Sequence, residues 1–501
     1  MLDNRRLLRR SSVRPLTLSL LGGMVALVGF ACNGTSTTPS SASLPPVPTQ
    51  IATIPIQPSP TVEVVDDVSP IPTTTLPNTP ESTATTAPPP PSPTVAVVPT
   101  PTPPPAVSPE LTATLSGLSS FTSAMRGLES KGEVSQIFVT EAEMSERIRA
   151  VFEEEVDQEE VEVDRRILVL LGLLEPDLDL FQTYTDVYSE QVVGYYSPED
   201  KEMVISTNTE NLSPGDRVTY VHEYTHALQD QHFDLAASDK RLEEAGNDDA
   251  SAAFHALVEG DATLAMSAYA YASLTEDEFD QLSSSDGENS AFDDAPEFLQ
   301  AAFLFPYVEG VEFVGQIFEH GGWDAIDAAF SDPPKSTEHI LHFEKYLSGE
   351  DPLEVSLNVL DGPEWDGWVE MDNDTLGEFV LSHMLKVFLS EDRAKEAAEG
   401  WGGDRYAYYE DDAGRQLLVV STSWDTEADA MEFFDSYVAF MEAKTEEGNW
   451  GGSITMPGPW IWYSEDSAAG ATREGDSVHF AIGPNLLLVQ QALTSLYGNR
   501  E

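Results

Sequence analysis

The chain has 501 residues, 87 acidic and 25 basic, for a formal charge of −62. Phosphate repulsion at that charge argues against nucleic acid as a natural partner and implies a heavily solvated surface. A single cysteine excludes an intramolecular disulfide framework, and the length allows two or three domains.

Residues 1–32 depart from the acidic average. Arg5, Arg6, Arg9, Arg10 and Arg14 precede an apolar stretch, Leu16–Ala31, that is short for a membrane-spanning helix. It ends in Phe30-Ala31-Cys32, which resembles a bacterial lipoprotein signal. Gly29 stands where leucine is usual, with Leu27 and Val28 just upstream. The resemblance implies cleavage before Cys32, lipidation of Cys32, and a protein anchored to the cell membrane on its extracellular face. An uncleaved anchor and ordinary secretion are the alternatives, and all three export the chain. Residues 33–109 are mostly Pro, Thr, Ser, Ala and Val without Lys or Arg. Such a segment cannot bury a core and is predicted to be a disordered, polyproline-rich linker. At about 3.1 Å per residue it reaches up to ~240 Å.

Folded sequence is predicted from Glu110. Thr140 reads as the N-cap of a helix over Glu141–Phe152, and Asp164–Leu174 has helical periodicity. Val192–Tyr196 and Met203–Ile205 flank Ser197-Pro198-Glu199-Asp200 and read as a hairpin. Ser213-Pro214-Gly215-Asp216 is a helix start, with an N-cap, a proline at the first helical position and an acid in the first turn. The helix it opens runs to about Gln231 and carries His222-Glu223-Tyr224-Thr225-His226 in its middle. Residues four apart share a helix face, so His222 and His226 can hold one Zn²⁺ from the same side. Glu223 is then placed as general base on a water bound to that ion.

A catalytic zinc site takes a third protein ligand. His232 has the spacing of H-E-x-x-H-x-x-G-x-x-H, except that Gln229 replaces the glycine that would let the chain leave the helix. Gln229 favours continuing the helix, which turns His232 off the metal face. Glu259 is the stronger candidate. It lies midway along a second helix, capped by Asp248-Asp249, in an alanine-rich run where a carboxylate is costly unless paired or bound to metal. A plain pairing with His255, one turn earlier, is its bland reading.

H-E-x-x-H followed by a helix-borne glutamate resembles the gluzincin metallopeptidases. The closer resemblance is to uncharacterised bacterial H-E-x-x-H proteins. It lies in His222–Leu235 (HEYTHALQDQHFDL), Leu257–Thr263 (LVEGDAT) and Ser336–Tyr346 (STEHILHFEKY), and spans roughly 127–487. It implies zinc ligands His222, His226 and Glu259, with Glu223 as base. Thermolysin-like enzymes often carry an aspartate four residues after the ligand glutamate. That position is Thr263 here, and Asp261 points elsewhere on the helix. In the gluzincins a sheet edge beside the active helix binds the substrate backbone, a role open to the hairpin.

Ser283–Asp294 reads as an acidic loop, and Phe303–Phe318 and Trp323–Phe330 as helices. Pro333–Ser336 leads into a short helix that brings up His342, the first candidate for the donor that stabilises a tetrahedral oxyanion. His339, Tyr346 and Tyr307 stand behind it. Asp248-Asp249 and Glu410-Asp411-Asp412 are candidate Ca²⁺ sites, although a solubilising acidic surface is the better account of the charge. Beyond residue 365, Thr375–Leu389 and Thr426–Glu442 read as helices. Leu417–Ser421, Trp460–Ser464, Ser477–Ile482 and Leu486–Val489 read as strands. The expected fold is α+β: a mostly helical, zincin-like peptidase domain with a small sheet (110–365), then a small α+β unit (366–501). The expected function is zinc-dependent hydrolysis of a peptide or protein substrate at the cell envelope. The alternative is a non-catalytic acidic surface lipoprotein that keeps the fold for binding or assembly.

Overall fold

The computed structural model describes residues 24–26 and 108–497, except 208–211, 284–289, 358–361, 363–364, 448–451 and 455–458. Cys32, the rest of the leader and the predicted linker lie outside the described residues, apart from the three-residue strand Met24–Ala26. The described fold is α+β and mostly helical, with two sheets. Among the described residues no helix is long and apolar enough to cross a membrane.

The motif helix, Pro214–Phe233, starts where its capping chemistry dictates. Ser213 Oγ accepts from the Asp216 amide at 3.1 Å, and the Asp216 carboxylate returns the bond to the Ser213 amide at 2.9 Å. Every residue from Val218 to Asp230 is buried. A helix buried all round is the centre of its domain rather than a surface element. The glutamate helix, Asp248–Ser273, packs against it. Its N-cap is Asn247, whose Oδ1 accepts from the Ala250 amide at 2.9 Å, so Asp248 and Asp249 are first-turn acids rather than the expected cap.

A third long helix, Glu297–Ala329, crosses the glutamate helix at two glycines. A Cβ on Gly260 would stand 2.3 Å from Gly310 O, and one on Gly310 2.3 Å from Ala256 O. The backbones therefore touch, and even alanine is too large at either place. The predicted separation of Phe303–Phe318 from Trp323–Phe330 is real, because Gly322 breaks the helix with φ 66° and ψ −156°.

In the small sheet, Val192–Ser197 pairs antiparallel with Glu202–Ser206, as the hairpin reading expected, and Ser135–Val139 joins in parallel on the far side. Met24–Ala26 pairs with the outer edge of Val192–Ser197. The strand passes directly over the motif helix. Gly194 allows this, since a Cβ there would lie 2.8 Å from Thr219 Cγ2 and 3.3 Å from Glu223 Cγ.

The C-terminal sheet is antiparallel throughout. Its order is Trp368–Asp374, Trp401–Asp411, Gln416–Trp424, Ser477–Gly483, Ala468–Glu474, Trp460–Tyr463, with Gly452–Ile454 on the last edge. Period-two alternation sends Leu418, Val420 and Phe480 into one core with Phe433 and Tyr437. It sends Leu417, Val419 and Ala481 into another with Val489 and Leu493. Helices Glu427–Glu447 and Leu486–Tyr497 thus cover opposite faces. The second corrects the predicted strand Leu486–Val489. Four apolar residues in a row fit either state, and the deciding signal is their continuation at Ala492, Leu493 and Leu496, at helical spacing.

The C-terminal region is fastened to the start of the glutamate helix. Asp374 Oδ1 accepts from the Asp248 amide at 2.9 Å, and Arg405 Nη1 donates to Gly246 O at 3.0 Å. Asp249 accepts from the Thr337 hydroxyl at 2.6 Å and lies against Gly377, where φ is 77° and a Cβ would overlap the carboxylate. The largest core cluster accordingly contains residues from both sides of position 365.

Candidate metal centre

Two helices bring three ligand atoms together. His222 and His226 lie one turn apart on the motif helix, and Glu259 faces them from the glutamate helix. His222 Nε2 lies 3.0 Å from Glu259 Oε2, His226 Nε2 lies 2.9 Å from His222 Nε2, and His226 Nε2 lies 3.4 Å from Glu259 Oε2. All three residues are buried, and the group can hold a metal ion. The spacing is informative. Ligands about 2.0–2.1 Å from a tetrahedral Zn²⁺ stand about 3.3 Å apart. Two imidazoles and a carboxylate at 2.9–3.4 Å therefore fit a small divalent cation. They would fit a larger ion such as Ca²⁺ poorly, since it takes six to eight oxygens.

The electrostatics of the three residues point the same way. Burial opposes charge on His226, but Glu259 beside it prevails and raises its pKa to about 9. Burial likewise works against the Glu259 carboxylate, and the two histidines overcome it and hold the group far below the usual range. Burial lowers His222. A cation seated among the three would satisfy the carboxylate without that proton.

The next layer fixes the tautomer of His226. Gln229 Nε2 donates to Val258 O at 2.9 Å and to Asp261 Oδ2 at 2.8 Å. Both partners are acceptors, so the amide oxygen must face His226, and Oε1 accepts from Nδ1 at 2.8 Å. With Nδ1 protonated, Nε2 keeps its lone pair for an ion. Gln229 thus has a role the sequence reading gave it no part in. It lies three residues after His226 and so shares its helix face, which is the signal that could have found it. Asp261 reaches the ligands after all, through Gln229, while Thr263 Oγ1 is buried without a hydrogen bond.

Glu223 is fully buried beside the cluster and is not one of the converging ligands. Neither carboxylate oxygen has a hydrogen bond of good geometry. Burial pushes its pKa well up, and His226 and the Tyr196 amide pull the other way without offsetting it. Two phenols border the centre. The Tyr307 ring stands 6.4 Å from the His222 ring, centroid to centroid. Tyr188 is buried, which raises its pKa, and the charge of Glu259 raises it further.

The other candidates have partners outside the ligand cluster. His232 Nε2 meets Glu129 O at 2.8 Å on the surface, as expected of a residue turned off the metal face. His342 pairs through Nε2 with Glu378 Oε1 at 2.8 Å, and this bond raises its pKa. His339 ties Glu350 O to the Lys335 amide, and Tyr346 bonds Asp332 O. His255 pairs with Asp239 at 3.2 Å, which removes the bland pairing with Glu259. Asp411 is engaged by Arg415 and the turn amides of Ala413 and Arg415, and Glu410 by Arg166. Among the described residues, His222, His226 and Glu259 are the only ligand-type group that converges.

The fold and site together define an α+β protein with a buried two-histidine, one-glutamate centre and a second buried carboxylate, Glu223, beside it. In comparison with known proteins, residues 367–492 match the family model "Domain of unknown function (DUF8575)", which covers the C-terminal sheet and its helices. No curated protein and no solved structure matches the chain.

Proposed function

We propose that the chain is a zinc-dependent peptidase of the bacterial cell envelope. One observation carries the reading: Glu223 is fully buried, with no side-chain partner, directly beside three converging metal ligands. A site that bound zinc only for structure would have no use for that carboxylate. His222, His226 and Glu259 would hold the ion. When bound, it supplies Lewis-acid polarisation of a carbonyl and lowers the pKa of water. Glu223 takes the proton of the attacking water and passes it to the leaving amine. The outer edge of Val192–Ser197, which pairs with Met24–Ala26 and passes over Glu223, can take an extended peptide in the same way. With the full chain, a pool of quenched fluorescent peptides should be cut, chelator should stop the cleavage, and added zinc should restore it. Zinc-loaded protein without turnover across the pool would favour the non-catalytic binding role.

Tyr307, whose ring borders His222, is our candidate donor to a developing oxyanion, alongside His342, which pairs with Glu378. Tyr307→Phe should lower kcat by about 10²–10³, the usual cost of one such donor, with zinc content unchanged. His342→Ala should stay close to wild type in kcat. The opposite ranking would return the role to His342.

Export and anchoring through Cys32 belong to the same reading, carried by the arginine-rich head, the short apolar stretch and the lone cysteine. A fatty-acid probe should label the wild type and not Cys32→Ser. Unlabelled protein that still begins with Met1 would exclude lipidation.

A further inference from the structure

We infer that Arg126, the last residue of the N-terminal helix Pro109–Arg126, is a positioning residue of the metal centre. It acts through Asp261 and Gln229 on the His226 imidazole. The inference rests on the metal-binding reading above.

Arg126 is fully buried. Its Nε donates to Asp261 Oδ1 at 2.7 Å, and its Nη2 lies 2.7 Å from Asp327 Oδ1. The guanidinium also stands 4.8 Å from the centre of the Trp323 ring. A charge in such a place is costly unless neighbours hold it, and here two acids and an aromatic face do so.

A bland role is available: Arg126 could simply tie the first helix to the bundle. The geometry points further, because the two oxygens of Asp261 are divided. Oδ1 takes Arg126, and Oδ2 takes the Gln229 amide. Asp261 is itself wholly buried, so its orientation is set by these partners. Gln229 Oε1 faces His226 Nδ1 only while Nε2 has Asp261 and Val258 O to donate to. Without Arg126 the carboxylate loses the cation that orients it, and Val258 O is left as the one fixed acceptor that holds the Gln229 amide in this sense. A reversed amide would present Nε2 to His226 Nδ1. That contact requires the tautomer whose proton sits on Nε2, the atom that faces the ion. One hydrogen-bonded chain therefore runs from the first helix to a ligand nitrogen.

The test is a double-mutant cycle on zinc affinity, measured by competition with a chromophoric chelator on the full chain. Arg126→Met and Gln229→Leu should each weaken zinc about 10–100-fold, the range for groups that orient a ligand. The double variant should bind no more weakly than Gln229→Leu alone, since both act along one path. Arg126→Lys, which keeps the charge, should recover part of the loss. Arg126→Gln carries the comparison if the methionine variant does not fold. Wild-type affinity in folded Arg126→Met or Arg126→Gln, or losses that multiply in the double variant, would overturn the inference and leave a structural tie. If wild-type protein itself binds no zinc, the metal reading fails and the inference fails with it.

Discussion

Replacing Glu259 with alanine is expected to remove most of the bound metal, while His232→Ala leaves occupancy unchanged. The two predictions separate the competing third ligands. Glu259 Oε2 lies 3.0 and 3.4 Å from the two histidine Nε2 atoms, whereas His232 bonds a backbone carbonyl at the surface. Losing a direct ligand should weaken binding by more than the roughly 10–100-fold typical of outer-layer changes. Alanine also leaves a cavity and two buried imidazoles without their carboxylate, so loss of metal could follow from loss of structure. Glu259→Gln controls for this by keeping volume and one oxygen while removing the charge. Both variants should fold, give similar circular dichroism, and carry little zinc by mass spectrometry. Zinc retained by Glu259→Ala and lost by His232→Ala would replace the glutamate reading with the three-histidine one.

The parts of this site that the sequence made legible are those set by local rules. Ser213-Pro214-Gly215-Asp216 specifies a helix start through capping, and the helix period then places His222 and His226 on one face. Glu259 was found by a cost argument: a carboxylate in an alanine-rich apolar helix needs a partner. What stayed hidden depends on contacts far apart in the chain. Arg126 and Asp261 are 135 residues apart, and nothing local to either shows that they meet. His342 is a candidate on its chemistry alone, and its partner Glu378 lies in the C-terminal region, which no local pattern joins to it. In the C-terminal sheet, Trp401–Asp411 carries glycines and charges along a buried strand, so it lacks the apolar run that revealed Leu417–Ser421. Leu486–Val489 failed for the converse reason, a run too short to show its period.

Glu223→Gln is expected to abolish hydrolysis and leave the metal in place. Glu223 follows a ligand by one residue, which sets its carboxylate about 100° around the helix from His222. It is therefore beside the ligand cluster without belonging to it. Gly194 lets the strand pass close over it, since a Cβ there would stand 3.3 Å from Glu223 Cγ. Glutamine preserves the length and shape of the side chain while removing its charge and its ability to take a proton. The loss should be at least the ~10²–10⁴ associated with general acid–base catalysis. The companion measurement matters as much as the rate. Zinc content on the same sample should match wild type, because His222, His226 and Glu259 are untouched. Reduced zinc would show that Glu223 supports the ligands instead of the reaction. Full turnover with normal zinc would place the chemistry at another residue. Loss of turnover with zinc retained is the pattern expected of a carboxylate that acts on the reacting water and does not hold the ion.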